Sequence, residues 1–332
     1  MHLNNKKVTI IAEIGVNHNG RISLAKKLIK EAKKAGADYV KFQIFQPLEI
    51  TTKFNKKTKY QKKFGKKNET QLTMLKKYYL TNKKIKELNN YCKINKINFL
   101  ASAFDLTSLD LYSKLKPKLI KIPSGEITNK PLLEKISKLK IDVIFSTGMS
   151  TYKEIKDAYK ILKKSKNNVI PLYCISSYPT SLKEFSLKKM INLKKINSFF
   201  GFSDHTIGNE ASLFAVANGS KVIEKHLTIN KRFNGPDHFA SMEPKNFKTL
   251  VKSIRNFEIL LNNKIVNNNE LNNKRFVRKF LVAKKVINKG DYYSRENITT
   301  KRSGGGISPM NIDKILGQKS NKKYLPDQII KK

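Results

Sequence analysis

The sequence predicts an α/β protein: a barrel of eight strand–helix units, the (β/α)8 or TIM-barrel class, followed by a small β-rich module. Three observations carry this expectation. Eight short apolar or β-branched runs occur, amphipathic segments separate them, and polar residues gather at the C-terminal end of each run. A length of 332 residues with 39% hydrophobic content fits one large domain and one small one.

The runs are VTIIAEIG (8–15), YVKFQIF (39–45), INFLAS (97–102), LIKIPS (119–124), DVIFST (142–147), VIPLYC (169–174), FFGFSD (199–204) and KVIEKH (221–226). After the first, Ile22, Ala25, Leu28, Ile29 and Ala32 share one helical face, which ends at Gly36, a residue suited to a left-handed cap. TYKE (151–154) and SLKE (181–184) fit the capping box, and Ile155, Ala158, Tyr159 and Leu162 continue a buried stripe behind the first of them. Strict alternation of strand and helix implies a parallel sheet, and eight units close naturally into a barrel. An open doubly wound sheet is the structural alternative, disfavoured because no glycine-rich dinucleotide loop follows the first run. A helical pattern near 244–261 completes the barrel domain, 1–261. The next segment, NNKIVNNNELNNKR (262–275), has no apolar period and reads as a linker. Residues 276–332, broken by KG and GGG, read as a compact β-rich module that is marginal by itself and expected to dock on something.

Composition removes several function classes. Two cysteines, Cys92 and Cys174, make neither a disulfide framework nor a zinc quartet. No apolar stretch is long enough to span a membrane, and Glu13 interrupts the N-terminal run too early for a signal peptide, so a cytoplasmic location is expected. The net charge of +43 invites a nucleic-acid reading. Against it, only seven of the 68 basic residues are arginine, and lysines spread over nearly every predicted helix surface rather than along a stripe, so no specific nucleic-acid partner is expected. Such a charge still draws anionic metabolites toward a concave site.

In a barrel, chemistry belongs at the C-terminal strand ends. His205 and His226 end neighbouring strands, where their imidazoles can meet. Two imidazoles and water suit a divalent ion of the Mn²⁺ type better than Mg²⁺, while structural and acid–base roles stay open, as they do for Asp204 beside His205. Lys41 and Lys121 share that rim with Ser102, Ser124, Ser146, Ser176 and Ser203, a set that suits phosphate or carboxylate. Glu13 and Glu126 are the candidate carboxylates for proton handling. From the residues alone the chain reads as a metal-dependent barrel enzyme acting on a small phosphorylated or carboxylated substrate.

With the motifs IIAEIGVNHNG, GADYVKFQ, KIPSGEITN, STGMST, GFSDHTIG, VIEKHLT, GPDHFASMEP and KRSGGGISP, the chain resembles the sialic acid synthase family over roughly residues 8–330. The resemblance implies a (β/α)8 barrel followed by an antifreeze-like (SAF) domain, in a homodimer whose SAF domain covers the partner's active site. It implies condensation of phosphoenolpyruvate with an N-acylated hexosamine, N-acetylmannosamine or 2,4-diacetamido-2,4,6-trideoxymannose, to a nine-carbon 2-keto acid and phosphate, with carbon–oxygen cleavage. The divalent metal, Mn²⁺ with Mg²⁺ or Co²⁺ as alternatives, is implied on His205 and His226. Phosphoenolpyruvate is implied at Lys41, Ser102, Lys121, Ser124, Ser146, Ser176 and Ser203, and the catalytic carboxylates are Glu13 and Glu126. Tyr178 and Asp237 match the sugar side, with Phe276 and Arg302 contributed by the partner. Three departures bear on substrate fit: Ala103 stands at a common proline, Tyr173 at a frequent histidine and Lys279 at a common arginine. Pseudaminate synthesis is the alternative within the scaffold. Another barrel aldolase, with Lys121 as a Schiff-base lysine, is the alternative outside it.

Overall fold

The computed structural model describes residues 7–58, 60–63, 69–164, 168–262 and 268–331, and its first feature is a closed barrel of eight parallel strands. The strands are β1 (Thr9–Gly15), β2 (Tyr39–Ile44), β3 (Asn98–Ala103), β4 (Leu119–Ile122), β5 (Asp142–Ser146), β6 (Val169–Cys174), β7 (Gly201–Asp204) and β8 (Val222–His226). Each pairs with the next, and β8 returns to β1 with Val222 opposite Thr9 and His226 opposite Glu13. Closure removes the doubly wound alternative.

The barrel's inside is filled by side chains and holds no pore. Ile11, Leu100, Leu119, Ile144, Ile170, Leu172 and Val222 form one apolar plug, while the outward residues of the same strands join the helices in the larger core. Burying each such side chain contributes about 1.5–3 kcal/mol. Strand side chains alternate with period two, so the residue two positions beyond a plug residue faces the axis one layer higher. That rule converts Ile11 into Glu13, Leu100 into Ser102, Leu119 into Lys121, Ile144 into Ser146, Leu172 into Cys174 and Val222 into Glu224. The apolar plug is therefore the foundation of a polar floor.

The first helix spans Ile22–Ala35 and stops at Gly36, whose φ of 89° places it in the left-handed region. Thr151 and Glu154 make a complete capping box ahead of the helix Tyr152–Lys163. The second box, Ser181 and Glu184, heads only a three-residue 3-10 turn, because Phe185 leaves it extended and packs edge-on against Tyr173 and Phe202. Two strand ends differ from the expectation by two residues, and the others by at most one. β4 stops at Ile122, since Pro123 has no N–H for the ladder and a 3-10 turn, Ser124–Glu126, follows. β7 begins at Gly201, where a Cβ would lie 2.4 Å from Leu172 Cδ2.

The chain divides into two compact units, Met1–Asn262 and Asn263–Lys332. In the second, β9 (Lys279–Ala283) and β10 (Ile298–Arg302) form an antiparallel pair, and Leu281, Ala283, Ile287, Tyr293, Ile298, Ile315, Tyr324 and Ile330 make a small core. The segment read as a linker, 262–275, carries a helix, Asn268–Val277; residues 263–267 lie outside the described residues. None of that helix's residues is buried, so it has no apolar stripe by which periodicity would reveal it. Arg275 ties it to its own unit by donating to the Gly304 carbonyl at 2.9 Å. Among the described residues no helix is long and apolar enough to cross a membrane.

Candidate active site

Above the polar floor lies a cavity of about 410 Å³. Every candidate residue on the barrel lines it: Glu13, Lys41, Ser102, Lys121, Ser124, Glu126, Ser146, Ser176, Tyr178, Ser203, His205, His226 and Asp237. Phe276 and Arg302 belong to the second unit, Phe276 exposed on the helix Asn268–Val277 and Arg302 exposed as the last residue of β10.

The centre of the floor is a buried charge cluster. Glu224 receives Lys121 Nζ on one oxygen and Lys41 Nζ on the other, each at 2.8 Å, and Ser203 Oγ donates to it at 2.9 Å. Lys41 also lies 3.4 Å from Glu13. Burial pushes the Glu224 carboxyl upward, yet Lys121 and Lys41 more than offset this and hold it well below the usual range. For Glu13 burial dominates and, against Lys41, pushes it up to about 7. Burial lowers Lys121 against the pull of Glu224, whereas burial of Lys41 is outweighed by Glu13 and Glu224, which raise it. The two buried amines thus face an ionised Glu224 and a Glu13 that is partly protonated near neutrality. The balance favours an anionic ligand. Ser102 Oγ and Ser146 Oγ, both buried, have no hydrogen-bond partner among the described residues and face this cavity. Ser124 accepts from the Gly148 amide at 3.0 Å, and a Cβ on Gly148 would sit 2.3 Å from Ser176 Oγ and 2.8 Å from Ser124 Oγ. Glycine in the STG motif is thus what lets these hydroxyls converge.

The two histidine rings stand 5.5 Å apart between centroids, with Tyr178 packed 4.2 Å from His205. His205 Nδ1 is 2.7 Å from the Ile175 carbonyl, which leaves Nε2 as the nitrogen with a free lone pair. Burial, reinforced by His205, holds His226 well below its usual range, so it is a neutral imidazole, and its buried Nδ1 has no hydrogen-bond partner among the described residues. For His205 burial lowers the pKa, but the Cys174 sulfur and the Ile175 carbonyl outweigh it and raise it. A neutral ring with an orphaned nitrogen beside a ring oriented by a carbonyl fits a divalent cation. Among the described residues no group of three or more His, Cys, Asp or Glu side chains forms a metal cage, so further ligands to such an ion would be water or substrate. Asp237, whose carboxyl burial pushes up to about 6, lies 3.9 Å from His226 Nδ1. Asp204 points the other way. Its oxygens accept from the Thr206 amide at 2.8 Å and from Lys225 at 2.7 Å, so it is part of the strand's support rather than the cavity.

Glu126 stands at the cavity edge, raised by burial and restrained by a 2.7 Å hydrogen bond from Asn129. Tyr60 stacks on Tyr178 at 5.1 Å, and Ile50, Met74, Leu75 and Tyr78 line the cavity beside it, interspersed with Thr58, Gln61 and Gln71. Sequence reasoning missed the role of Glu224, although its place two residues before His226 puts it on the same face. It also missed Tyr60 and Tyr78, which sit in a lysine-rich stretch with no periodicity to mark them.

Comparison with known proteins agrees with the fold. The NeuB family profile matches residues 28–266, and the SAF domain profile matches residues 278–332. The chain belongs to the NeuB family. As a NeuB-family chain it is an enzyme of the sialic acid synthase type, with a barrel and a SAF domain. It is 46% identical to an N,N'-diacetyllegionaminic acid synthase of Campylobacter jejuni over 98% of this chain and 99% of that one. It is 39% identical to the Legionella pneumophila protein of the same name over 93% of this chain and 89% of that one. A crystal structure of an N-acetylneuraminic acid synthetase from Leptospira borgpetersenii, in complex with citrate, superposes with a TM-score of 0.71 at 31% identity, covering 82% of this chain and 93% of that one.

Proposed function

We propose that this NeuB-family cavity condenses phosphoenolpyruvate with an open-chain 2,4-diacetamido-2,4,6-trideoxy hexose and water, giving a nine-carbon 2-keto acid and phosphate. The observation that carries the reading is the Lys41–Glu224–Lys121 cluster beneath the His205–His226 pair, an anion floor next to a cation site. Lys41 and Lys121 take the phosphate and carboxylate as point charges, and the hydroxyls of Ser102, Ser124, Ser146 and Ser176 supply directed donors, while Ser203 gives its proton to Glu224 and lines the same pocket. A divalent ion, Mn²⁺ or in its place Mg²⁺ or Co²⁺, held by His205 and His226 supplies Lewis-acid polarisation of the aldehyde oxygen.

A carbon–carbon bond forms between the methylene carbon of phosphoenolpyruvate and the aldehyde carbon, whose oxygen takes up a proton. Water adds to the former enol carbon and loses a proton, and the centre collapses to a ketone as its bond to the phosphate oxygen breaks. Glu13, up at about 7, is poised to exchange a proton at neutral pH, and Glu126 at the edge is placed to orient the water. Tyr178 and Asp237 line the sugar side. Among this mixed lining, the apolar side chains Ile50, Met74 and Leu75 suit the methyl groups of a deoxy, doubly acetylated sugar better than the extra hydroxyls of N-acetylmannosamine. The 46% identity to a diacetyllegionaminic acid synthase supports the same choice.

The protein acts as a homodimer in this reading, with the partner's Phe276 and Arg302 reaching the sugar. Supporting it are exposed apolar residues on the mouth loops, Leu48, Phe54, Met149 and Phe239, and on the SAF unit, Phe276 and Met310. The test is mass spectrometry of products from competing sugars with phosphoenolpyruvate and Mn²⁺. The diacetamido-trideoxymannose is expected to win over N-acetylmannosamine and over the pseudaminate precursor isomer. A keto acid formed preferentially from either competitor would refute the substrate assignment.

A further inference from the structure

The two histidines are each preceded by a charged residue that the period-two rule turns away from the cavity. Asp204 precedes His205 on β7, Lys225 precedes His226 on β8, and the two are register partners. Both are almost fully buried, 1% and 2% exposed. Lys225 Nζ donates to Asp204 Oδ2 at 2.7 Å and to the Thr206 carbonyl at 2.9 Å. Asp204 accepts from the Thr206 amide at 2.8 Å and the Thr206 hydroxyl at 2.7 Å, and from Ser212 Oγ at 2.5 Å. Every polar group of Thr206, the residue after His205, is therefore held by this one pair. On the other side the His205 carbonyl accepts from the Thr180 amide at 2.9 Å.

A buried ion pair is a poor way to gain stability. The cost of removing both charges from water often cancels their attraction, and apolar replacement of such pairs is frequently neutral. What the pair does supply here is a fixed link between the backbones of two adjacent strands, each at the residue before a histidine. We propose that Asp204 and Lys225 are positioning residues, a clamp behind the barrel wall that sets the mutual aim of the His205 and His226 imidazoles. The inference rests on reading those histidines as a cation-holding pair. Supports of this kind behind metal ligands typically govern affinity by about 10–100-fold.

The test uses the full-length protein with the double replacement Asp204→Asn, Lys225→Met, which removes both charges and the link between the strands while leaving the turn at Thr206 an acceptor. Its denaturant midpoint is expected to stay within roughly 0.5 M of the wild type. Its Mn²⁺ dissociation constant, read from the EPR signal of free Mn²⁺, is expected to rise about 10–100-fold. A folded double variant that binds Mn²⁺ like the wild type overturns the clamp. Should that variant fail to fold, Ser212→Ala, which removes a single bond to Asp204, decides instead: a weakened Mn²⁺ affinity supports the proposal and an unchanged one overturns it. Metal-free NMR separates this claim from the metal reading. If wild type and His205→Ala bind Mn²⁺ alike, the cation-site reading fails, and the ¹⁵N imidazole shifts of His205 and His226 then decide the clamp alone. Displaced shifts in the folded variant support it; unchanged shifts overturn it.

Discussion

Glu224 is the residue on which the floor of the cavity turns, because two buried lysines share its carboxylate. Replacing it with glutamine would leave two ammonium groups without their common partner, a loss expected to cost about 3–5 kcal/mol at neutral pH. The pH dependence has a definite sign. A carboxylate depressed in the folded state adds stability above its unfolded value of 4.5, and that stability is lost as pH falls through the folded value. Denaturant titrations of the metal-free protein should therefore show the gap between wild type and Glu224→Gln shrinking steadily below about pH 4.5. A gap that is constant with pH would mean that Glu224 is not ionised in the pair. Glu224 was legible in principle from the alternation V-x-E-x-H along β8. It escaped because a lone glutamate in a strand has no partner in sequence: Lys41 and Lys121 are 183 and 103 positions away and meet it only after the barrel closes.

Among the elements, the β5 end shows how close approach and capping separate. Gly148 lets Ser124 and Ser176 converge, so Gly148→Ala must push one hydroxyl aside. The expected outcome is a KM for phosphoenolpyruvate raised about tenfold or more, a loss of about 1.4 kcal/mol in binding, with thermal stability little changed. Three residues later, Thr151→Ala breaks the capping box and should cost about 1 kcal/mol of stability with kcat/KM unchanged. Measuring both parameters on both variants checks the separation; a kinetic defect in Thr151→Ala would contradict it. These elements were readable because their signals are local: a capping box, a left-handed glycine at 36, apolar runs of strand length. The helix Asn268–Val277 was not, since a helix that buries nothing carries no period. Nor were Tyr60 and Tyr78, because Tyr178, on which Tyr60 stacks, and the cavity neighbours of both lie far away in the chain.

For the whole molecule, the excess of basic over acidic residues would favour capture of the anionic substrate proposed for the cavity. Steering by that field predicts that kcat/KM for phosphoenolpyruvate falls as ionic strength rises, while kcat holds steady. A salt-independent kcat/KM would assign the charge no part in capture. The floor is proposed to hold phosphoenolpyruvate so that phosphate leaves by carbon–oxygen cleavage once the sugar carbon has been joined. That central claim is tested most directly with phosphoenolpyruvate carrying ¹⁸O at the bridging oxygen, incubated with the diacetamido-trideoxymannose and Mn²⁺. The account predicts a nine-carbon keto acid with the label recovered in inorganic phosphate; label retained in the keto acid, or no keto acid from any acylated hexosamine, would contradict it.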